Sequence, residues 1–154
     1  MEQIIATVRG FDGALVLTPE PGDGSPEIAW GDAFFYYAPD GRMPRNGRPY
    51  GTVVVKDQPG DTASDLDPPG RSRVNVQVDR TAFRRLTGED PRELALPRDH
   101  GATDLLMPHP VYGALSWVCV VNPGGRTTDT LLRLLREAHE AARARHARRT
   151  ETEG

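Results

Sequence analysis

Residues Leu106–Pro123, with the sequence LMPHPVYGALSWVCVVNP, decide the fold of this chain. His109 lies between two prolines, which fix the backbone and predict a rigid turn. The apolar run Leu115–Val121 that follows predicts a strand, and Asn122–Arg126 predicts a second turn. After that turn we expect a long amphipathic helix that opens on a cap at Thr127–Asp129. The C-terminal part of the chain is therefore predicted as turn, strand, turn and helix.

The rest of the chain alternates short apolar segments with turns rich in glycine and proline. Asp79 is placed to cap a helix that ends at Gly88. The other predicted elements are a helix at 2–9 and strands within 14–18, 27–37, 50–57 and 71–78. This order indicates an α+β fold: an antiparallel β-sheet with helices packed on one face, flanked by the N- and C-terminal helices.

Two of the predicted strands differ in character. Val53–Val55 is a run of three valines, as in a buried central strand. Arg71–Val78 alternates instead, with valines on one face and Arg73, Asn75 and Gln77 on the other. The acidic, proline-rich segment 58–70 joins these strands, and its length indicates a role in binding.

The composition indicates one domain, since the chain has 154 residues, 37% of them hydrophobic, and a net charge of −3. We expect the domain to cover residues 1–149, with the helix ending near Arg149 and a frayed tail at 150–154.

Cys119 is the single cysteine, which excludes an internal disulfide and fits a reducing cytoplasm. No apolar run approaches about 20 residues, so we expect a cytoplasmic protein without a membrane-spanning helix.

Three parts of the sequence carry a family resemblance. They are Lys56-Asp57 with Pro59-Gly60, Leu66-Asp67 with Pro69-Gly70, and His109-Pro110 through Trp117-Val118. In these parts the chain resembles the MmcQ/YjbR-like proteins, and it looks closest to an actinobacterial family of that group without an assigned function. The resemblance covers most of the chain and implies the double-wing fold shared with frataxin. The superfamily often has a Ser-Tyr pair in its last helix where this chain has Ala138-His139, so no role of that pair is transferred.

His109 is the first candidate for acid–base chemistry, because an unperturbed imidazole titrates near neutrality. Tyr112 follows three residues later and is a candidate to share its site. Lys56, the only lysine, is a candidate nucleophile or anion clamp. The adjacent Asp57 favours the charged form of Lys56, which works against a nucleophilic role. The alternative is structural: the His-Pro turn orients the strand, and Lys56 is solvated.

Aromatic and acidic residues are candidates for a ligand pocket. Trp30 and Trp117 are typical of core packing, and they are also typical of the walls of such a pocket. Asp32 or Asp57 would supply an acid to the same cleft. These four residues are our predicted ligand-binding set.

The acidic residues of the 58–70 region raise the question of a metal site. Asp57, Asp61, Asp65 and Asp67 flank two glycine turns, and oxygen ligands at such spacing can bind Ca²⁺ or Mg²⁺. They lack the order of an EF-hand loop, and aspartate with Pro-Gly is an ordinary turn former. We therefore expect no metal and no cofactor.

A nucleic-acid interface is a further alternative. Its candidate residues are Arg71 and Arg73 together with Arg143, Arg145 and Arg148 near the chain end. The terminal arginines also complement the dipole of the last helix, and the net negative charge works against a nucleic-acid partner.

The sequence thus leaves three functions open. We expect first a non-catalytic module that binds a small ligand or a protein. The alternatives are a small acid–base enzyme or accessory protein of secondary metabolism that uses His109, Tyr112 and Lys56, and a DNA-binding double-wing protein. We expect a monomer or homodimer that does not associate with membranes.

Overall fold

The computed structural model describes the backbone of residues 1–153 and the side chains of residues 1–151. The helices are α1 (Glu2–Arg9), α2 (Arg80–Thr87) and α3 (Thr128–Glu153). The strands are β1 (Ala14–Leu17), β2 (Ala33–Tyr37), β3 (Gly51–Val54), β4 (Arg73–Gln77), β5 (Met107–Pro108) and β6 (Trp117–Val121). Short 3₁₀ turns occupy Glu27–Ala29 and Gly113–Leu115.

The strands form one six-stranded sheet in the order β1-β2-β3-β4-β6-β5, and each neighbouring pair is antiparallel. β4 lies inside the sheet between β3 and β6, so its backbone is hydrogen-bonded on both sides. The predicted α+β class with an antiparallel sheet and terminal helices is confirmed.

The helices pack on one face of the sheet, as predicted. Val74 and Val76 of β4 belong to the same buried cluster as Leu131 and Leu135 of α3. α1 and α2 contribute buried apolar side chains to this cluster as well. α3 approaches β3 closely at Gly51, where a Cβ atom would lie 2.9 Å from a methyl carbon of Leu135. We call this side of the sheet the helix face.

The ends of α2 match the sequence prediction. The Asp79 carboxylate accepts a hydrogen bond from the backbone N–H of Ala82 at 2.7 Å, which caps the first turn. Gly88 ends the helix in the left-handed region at φ 76°, where glycine carries no Cβ penalty.

The turn that leads into α3 is held by a residue distant in sequence. Asp104 accepts hydrogen bonds from the N–H groups of Gly124 (2.8 Å) and Arg126 (3.1 Å) and from the Thr127 hydroxyl (2.6 Å). These bonds, the Thr127 one foremost, lower the pKa of Asp104. Asp104 therefore fixes the 124–127 turn before the helix, and the local cap at Thr127–Asp129 stays a prediction.

Other boundaries also differ from the prediction. The segment 27–32 is a 3₁₀ turn and a bend, so the strand predicted within 27–37 begins at Ala33. β5 was not predicted. α3 continues past Arg149 to Glu153, while Gly154 lies outside the described residues. Whether the tail frays in solution stays a prediction. None of the described helices is long and apolar enough to cross a membrane.

His139 of α3 is buried and links three parts of the fold. Its Nδ1 lies 2.9 Å from the Tyr50 hydroxyl, and its Nε2 lies 2.7 Å from the Asp12 carbonyl oxygen. A carbonyl can only accept, so the ring proton resides on Nε2 and Nδ1 accepts the Tyr50 O–H. His139 is thus a structural hydrogen-bond bridge.

Candidate functional site

The face of the sheet opposite the helices carries a cavity of about 700 Å³, which we call the sheet-face cavity. The antiparallel register places Phe34, Thr52 and Asn75 side by side across β2, β3 and β4. Gln77 of β4 stands beside Trp117 of β6 in the same way. Because alternate residues of a strand share a face, the polar side chains of β4 all point to this side.

Arg73 is the centre of a polar network in this cavity, although it is only 1% exposed. Its Nε donates to Asn75 Oδ1 at 2.8 Å, and its Nη1 donates to Asp61 Oδ1 and to Ser64 Oγ, both at 3.0 Å. Nη2 binds the second oxygen of Asp61, which completes a two-pronged ion pair. Asn75 extends the network to β3, because its Nδ2 donates to the Thr52 hydroxyl at 2.9 Å. The buried guanidinium is therefore neutralised and held in one orientation.

The loop 58–70, which was predicted to have a role in binding, covers the polar network around Arg73. Ser64 is fully buried against Arg73, and Leu66 packs with Val54 and Val121. Arg71 also fastens the loop, because its guanidinium donates to the carbonyl oxygens of residues 64, 65 and 101. The loop is thus fixed to the sheet by buried polar and apolar contacts.

His109 borders the cavity, and only its Nδ1 has hydrogen-bond partners of the matching kind. Its Nδ1 accepts hydrogen bonds from the backbone N–H groups of Val111 and Tyr112, each at 3.0 Å. The neutral ring therefore carries its proton on Nε2. This Nε2 lies 3.1 Å from Nη2 of Arg73 and 3.9 Å from the Asp61 carboxylate. The Nε2–H of His109 and an N–H of Arg73 therefore face each other, and neither can accept a hydrogen bond from the other. An acceptor oxygen in the cavity would satisfy one of these two donors.

The electrostatics keep His109 neutral. Burial, and then the positive charge of Arg73, lower the pKa of His109 to about 3, against a smaller opposing effect of Asp61. Burial would raise the pKa of Asp61, but the hydrogen bonds and charge of Arg73 outweigh it, and that pKa is lowered. At neutral pH the site therefore holds an arginine–aspartate ion pair beside an uncharged imidazole.

The three predicted catalytic residues do not converge. His109 and Tyr112 line the same cavity, with ring centres 5.0 Å apart. Lys56 is not part of the lining: its ammonium donates to the Trp30 carbonyl and stands 3.9 Å from Asp32 at the border of the cavity. The structure therefore brings together two members of the proposed catalytic set and separates the third.

The predicted ligand-binding residues also divide into two groups. Trp117 and Asp32 line the sheet-face cavity. Burial raises the pKa of Asp32, opposed by a hydrogen bond from the Val55 N–H and by the charge of Lys56. Trp30 lies elsewhere, with its indole N–H 3.2 Å from the Ser25 carbonyl oxygen. Asp57 shapes the 58–70 loop, because its carboxylate accepts the Leu66 N–H at 2.9 Å.

The predicted nucleic-acid residues do not form one exposed face. Arg73 is buried and paired with Asp61, so its assignment to a nucleic-acid surface is corrected to the cavity floor. The guanidinium of Arg71 donates hydrogen bonds to three backbone carbonyl oxygens of loops. On α3, Arg143 lies 3.6 Å from Glu140, while Arg145 and Arg148 are exposed.

No group of three or more His, Cys, Asp or Glu residues within the described chain is arranged to hold a metal ion. Asp61, one of the acids considered for Ca²⁺ or Mg²⁺, is instead the partner of Arg73. Cys119 is fully buried, and burial raises its pKa to about 12, so it is an unreactive core residue.

The polar network around Arg73, which forms the floor of the cavity, was not predicted as a site from the sequence. Asn75 and Thr52 were not singled out, and Asp61 and Arg73 were assigned to other roles. One signal was present, namely an arginine, an asparagine and a glutamine alternating with valines on a central strand. Such residues on an inner strand have to be covered and hydrogen-bonded, or else they line a site.

Comparison with known proteins gives one match. A protein-family model described as a family of unknown function (DUF6194) matches residues 1–151. Neither the search of curated proteins nor the search of solved structures gives a match.

Proposed function

The chain belongs to the family of unknown function DUF6194, and from that premise we propose that it is a non-catalytic module that binds a small molecule in the sheet-face cavity. The observation that carries the proposal is the buried, hydrogen-bonded Arg73–Asp61 pair at the floor of a cavity with apolar walls. Pockets for small ligands combine such walls with a few fixed polar groups.

The floor of the cavity selects the polar end of the ligand. Arg73 is neutralised by Asp61, and the Nε2–H of His109 meets a guanidinium N–H. A carbonyl, hydroxyl or carboxylate oxygen at this point would accept the surplus N–H. Thr52 and Asn75 offer further hydrogen-bonding groups on the same floor.

The walls select the rest of the ligand. Phe34 and Trp117 supply aromatic surface, and Val111 and Leu115 supply aliphatic surface. Asp32 and Arg48 add one negative and one positive group to the lining, so the charges of the cavity balance. We infer a neutral or singly charged molecule with a planar or apolar body and an oxygen acceptor at one end.

The acid–base enzyme has less support. His109 has a pKa of about 3 and uses Nδ1 to hold two backbone N–H groups. A general base works best with a pKa near the operating pH, and Lys56 is not in the cavity to assist. The DNA-binding alternative is weakened by the burial of Arg73 and the engagement of Arg71.

Membership of the MmcQ/YjbR-like superfamily also remains a proposal. Its support is the order of elements: a helix, four strands, a helix, and then β6 followed by α3. An experimental structure superposed on members of that superfamily tests it. A different sheet order in those members would refute it.

The two tryptophans allow a direct test of ligand binding, because Trp117 lines the cavity and Trp30 does not. A library of neutral and monoanionic metabolites is screened by melting temperature, and hits are titrated into the W30F protein. We expect a hit to change the emission of Trp117, and we expect the T52V substitution to weaken its binding at least tenfold. The matched W117F protein should bind without an emission change of similar size.

Two outcomes would contradict the proposal. One is a hit that binds T52V and unsubstituted protein equally and leaves Trp117 emission unchanged. The other is a full library that produces no stabilising compound.

A further inference from the structure

A second concave region lies between the loop 39–49 and the C-terminal half of α3. A cavity of about 320 Å³ there is lined by Arg48 of the loop and by Arg145 and Arg149 of the helix. An adjoining cavity of about 420 Å³ shares Arg149 and adds Arg42 and Arg45. We call the two together the arginine cleft. It is formed by parts of the chain about 100 residues apart in sequence, so the residue pattern does not reveal it.

The cleft is strongly positive in an acidic protein. Its smaller cavity has three arginines in its described lining and no carboxylate. The larger cavity has one acid in its described lining, Asp40. The whole chain carries a net charge of −3. A concave surface of one sign concentrates the electric field and attracts ions of the opposite sign.

The arginines of the cleft lack the carboxylate partners that some other arginines of the chain have. Arg80 and Arg84 share Asp90, and Arg98 pairs with Glu89. Within the described part of the chain, by contrast, no ion pair joins a carboxylate to Arg48, Arg145 or Arg149. The guanidinium donors of the cleft are therefore available to a ligand.

Like charges crowd each other at the helix side of the cleft. Burial, and then the charges of Arg149 and Arg148, lower the pKa of Arg145. The helix dipole does not account for this grouping, since α3 runs on to Glu153 and its last turn holds no basic residue among those described. A bound anion would offset the repulsion.

We propose that the arginine cleft binds a small phosphate-bearing anion of the di- or triphosphate class. Guanidinium groups match phosphate oxygens in planar, two-pronged hydrogen bonds, which ammonium groups cannot form. Asn46 lies in the lining as well, and its carboxamide carries two N–H donors. The cleft is a short concavity closed by a loop, so its shape suits a compact anion better than the long backbone of a duplex.

The test uses inorganic tripolyphosphate as the probe, titrated calorimetrically into the full chain at low ionic strength. We expect one site per chain and a rise in melting temperature. The R145Q and R149Q substitutions should each weaken binding at least fivefold. R133Q is the matched control, because Arg133 is exposed on the same helix but outside the cleft. Arg48 is left unchanged because it also lines the sheet-face cavity.

Sulfate and a short duplex DNA are the comparison ligands. Tripolyphosphate that binds at least tenfold more tightly than sulfate, and is not displaced by the duplex, supports the proposal. Three results would overturn it: equal binding of sulfate and tripolyphosphate, equal binding by R133Q and R149Q proteins, or tighter binding of the duplex through the same arginines. Circular dichroism of each variant shows that a loss of binding is not a loss of fold.

Discussion

Nη2 of Arg73 lies 3.1 Å from Nε2 of His109, and this contact joins the inner strand β4 to the Pro-flanked turn. The turn itself is organised by the same imidazole, because Nδ1 accepts two backbone N–H groups from residues 111 and 112. One side chain therefore closes a turn and borders a ligand cavity. The position of His109 between two prolines therefore has a structural role in the turn, whether or not the imidazole takes part in chemistry.

Removal of Arg73 should destabilise the protein strongly. The R73M substitution leaves the Asp61 carboxylate, with 12% of its side chain exposed, without its partner. The loss of one member of a buried ion pair costs about 3–5 kcal/mol, and we expect that decrease in the free energy of unfolding measured with urea. The exposed R133M control should change it by less than about 0.5 kcal/mol.

The double variant R73M/D61L checks the reason for that loss. An apolar pair of similar volume leaves no unpaired charge, so it should recover much of the stability lost in R73M. A double variant that is less stable than the sum of the two single substitutions would show that the pair is not the cause.

The stability of the protein should fall as the pH drops below about 6.5. His109 has a pKa of about 3 in the folded chain and an ordinary value of 6.5 when unfolded. The unfolded state therefore binds more protons in this interval, and the contribution of His109 is complete above pH 6.5 and is lost towards pH 3. We expect it to remove on the order of 2–3 kcal/mol between pH 7 and pH 4.

The H109N variant isolates this effect. Asparagine can accept the same two backbone N–H groups in an Asx turn, but it does not titrate. Urea unfolding at several pH values should give a flatter dependence for H109N than for the unsubstituted protein between pH 4 and pH 6.5. Parallel curves would assign the acid sensitivity to other groups.

The turn before α3 should depend on Asp104 for its stability. D104A removes the carboxylate that holds Gly124, Arg126 and Thr127, so the melting temperature should fall clearly. D129A, which changes an exposed acid in the first turn of the same helix, should have a smaller effect. The reverse order of the two melting temperatures would show that the start of α3 depends more on Asp129 than on Asp104.

The thiol of Cys119 should resist modification. Burial raises its pKa to about 12, so at pH 8 the reactive thiolate is nearly absent and the sulfur is shielded. Labelling with a disulfide reagent should be slower by orders of magnitude in the native protein than in urea. Equal rates would mean that β6 opens readily to solvent.

The sequence predicted local structure well and the site only in part. Asp79 and Gly88 were identified as the ends of a helix because each acts on its own turn. The role of Asp104 in the turn before α3 was missed because Asp104 lies about 20 residues earlier in the chain than that turn. β5 is two residues long and carries too little pattern to be recognised.

The polar face of β4 shows why the cavity was missed. The alternation of Arg73, Asn75 and Gln77 with valines was visible in the sequence, but not the loop that covers it. Asp61 meets Arg73 only because the loop folds back over the sheet. A contact of that kind depends on the path of the chain, which residue spacing does not contain.

The alternating side chains of β4 also determine which residue of that strand faces which neighbour. A slip of β4 by one residue would turn the guanidinium of Arg73 towards the apolar cluster of the helix face and turn valines towards the polar network. Such a slip exchanges every side chain between the two faces. The same polar residues that form the cavity floor therefore exclude misaligned pairings of the strand, and substitutions that make this floor apolar would weaken the discrimination between correct and shifted sheets.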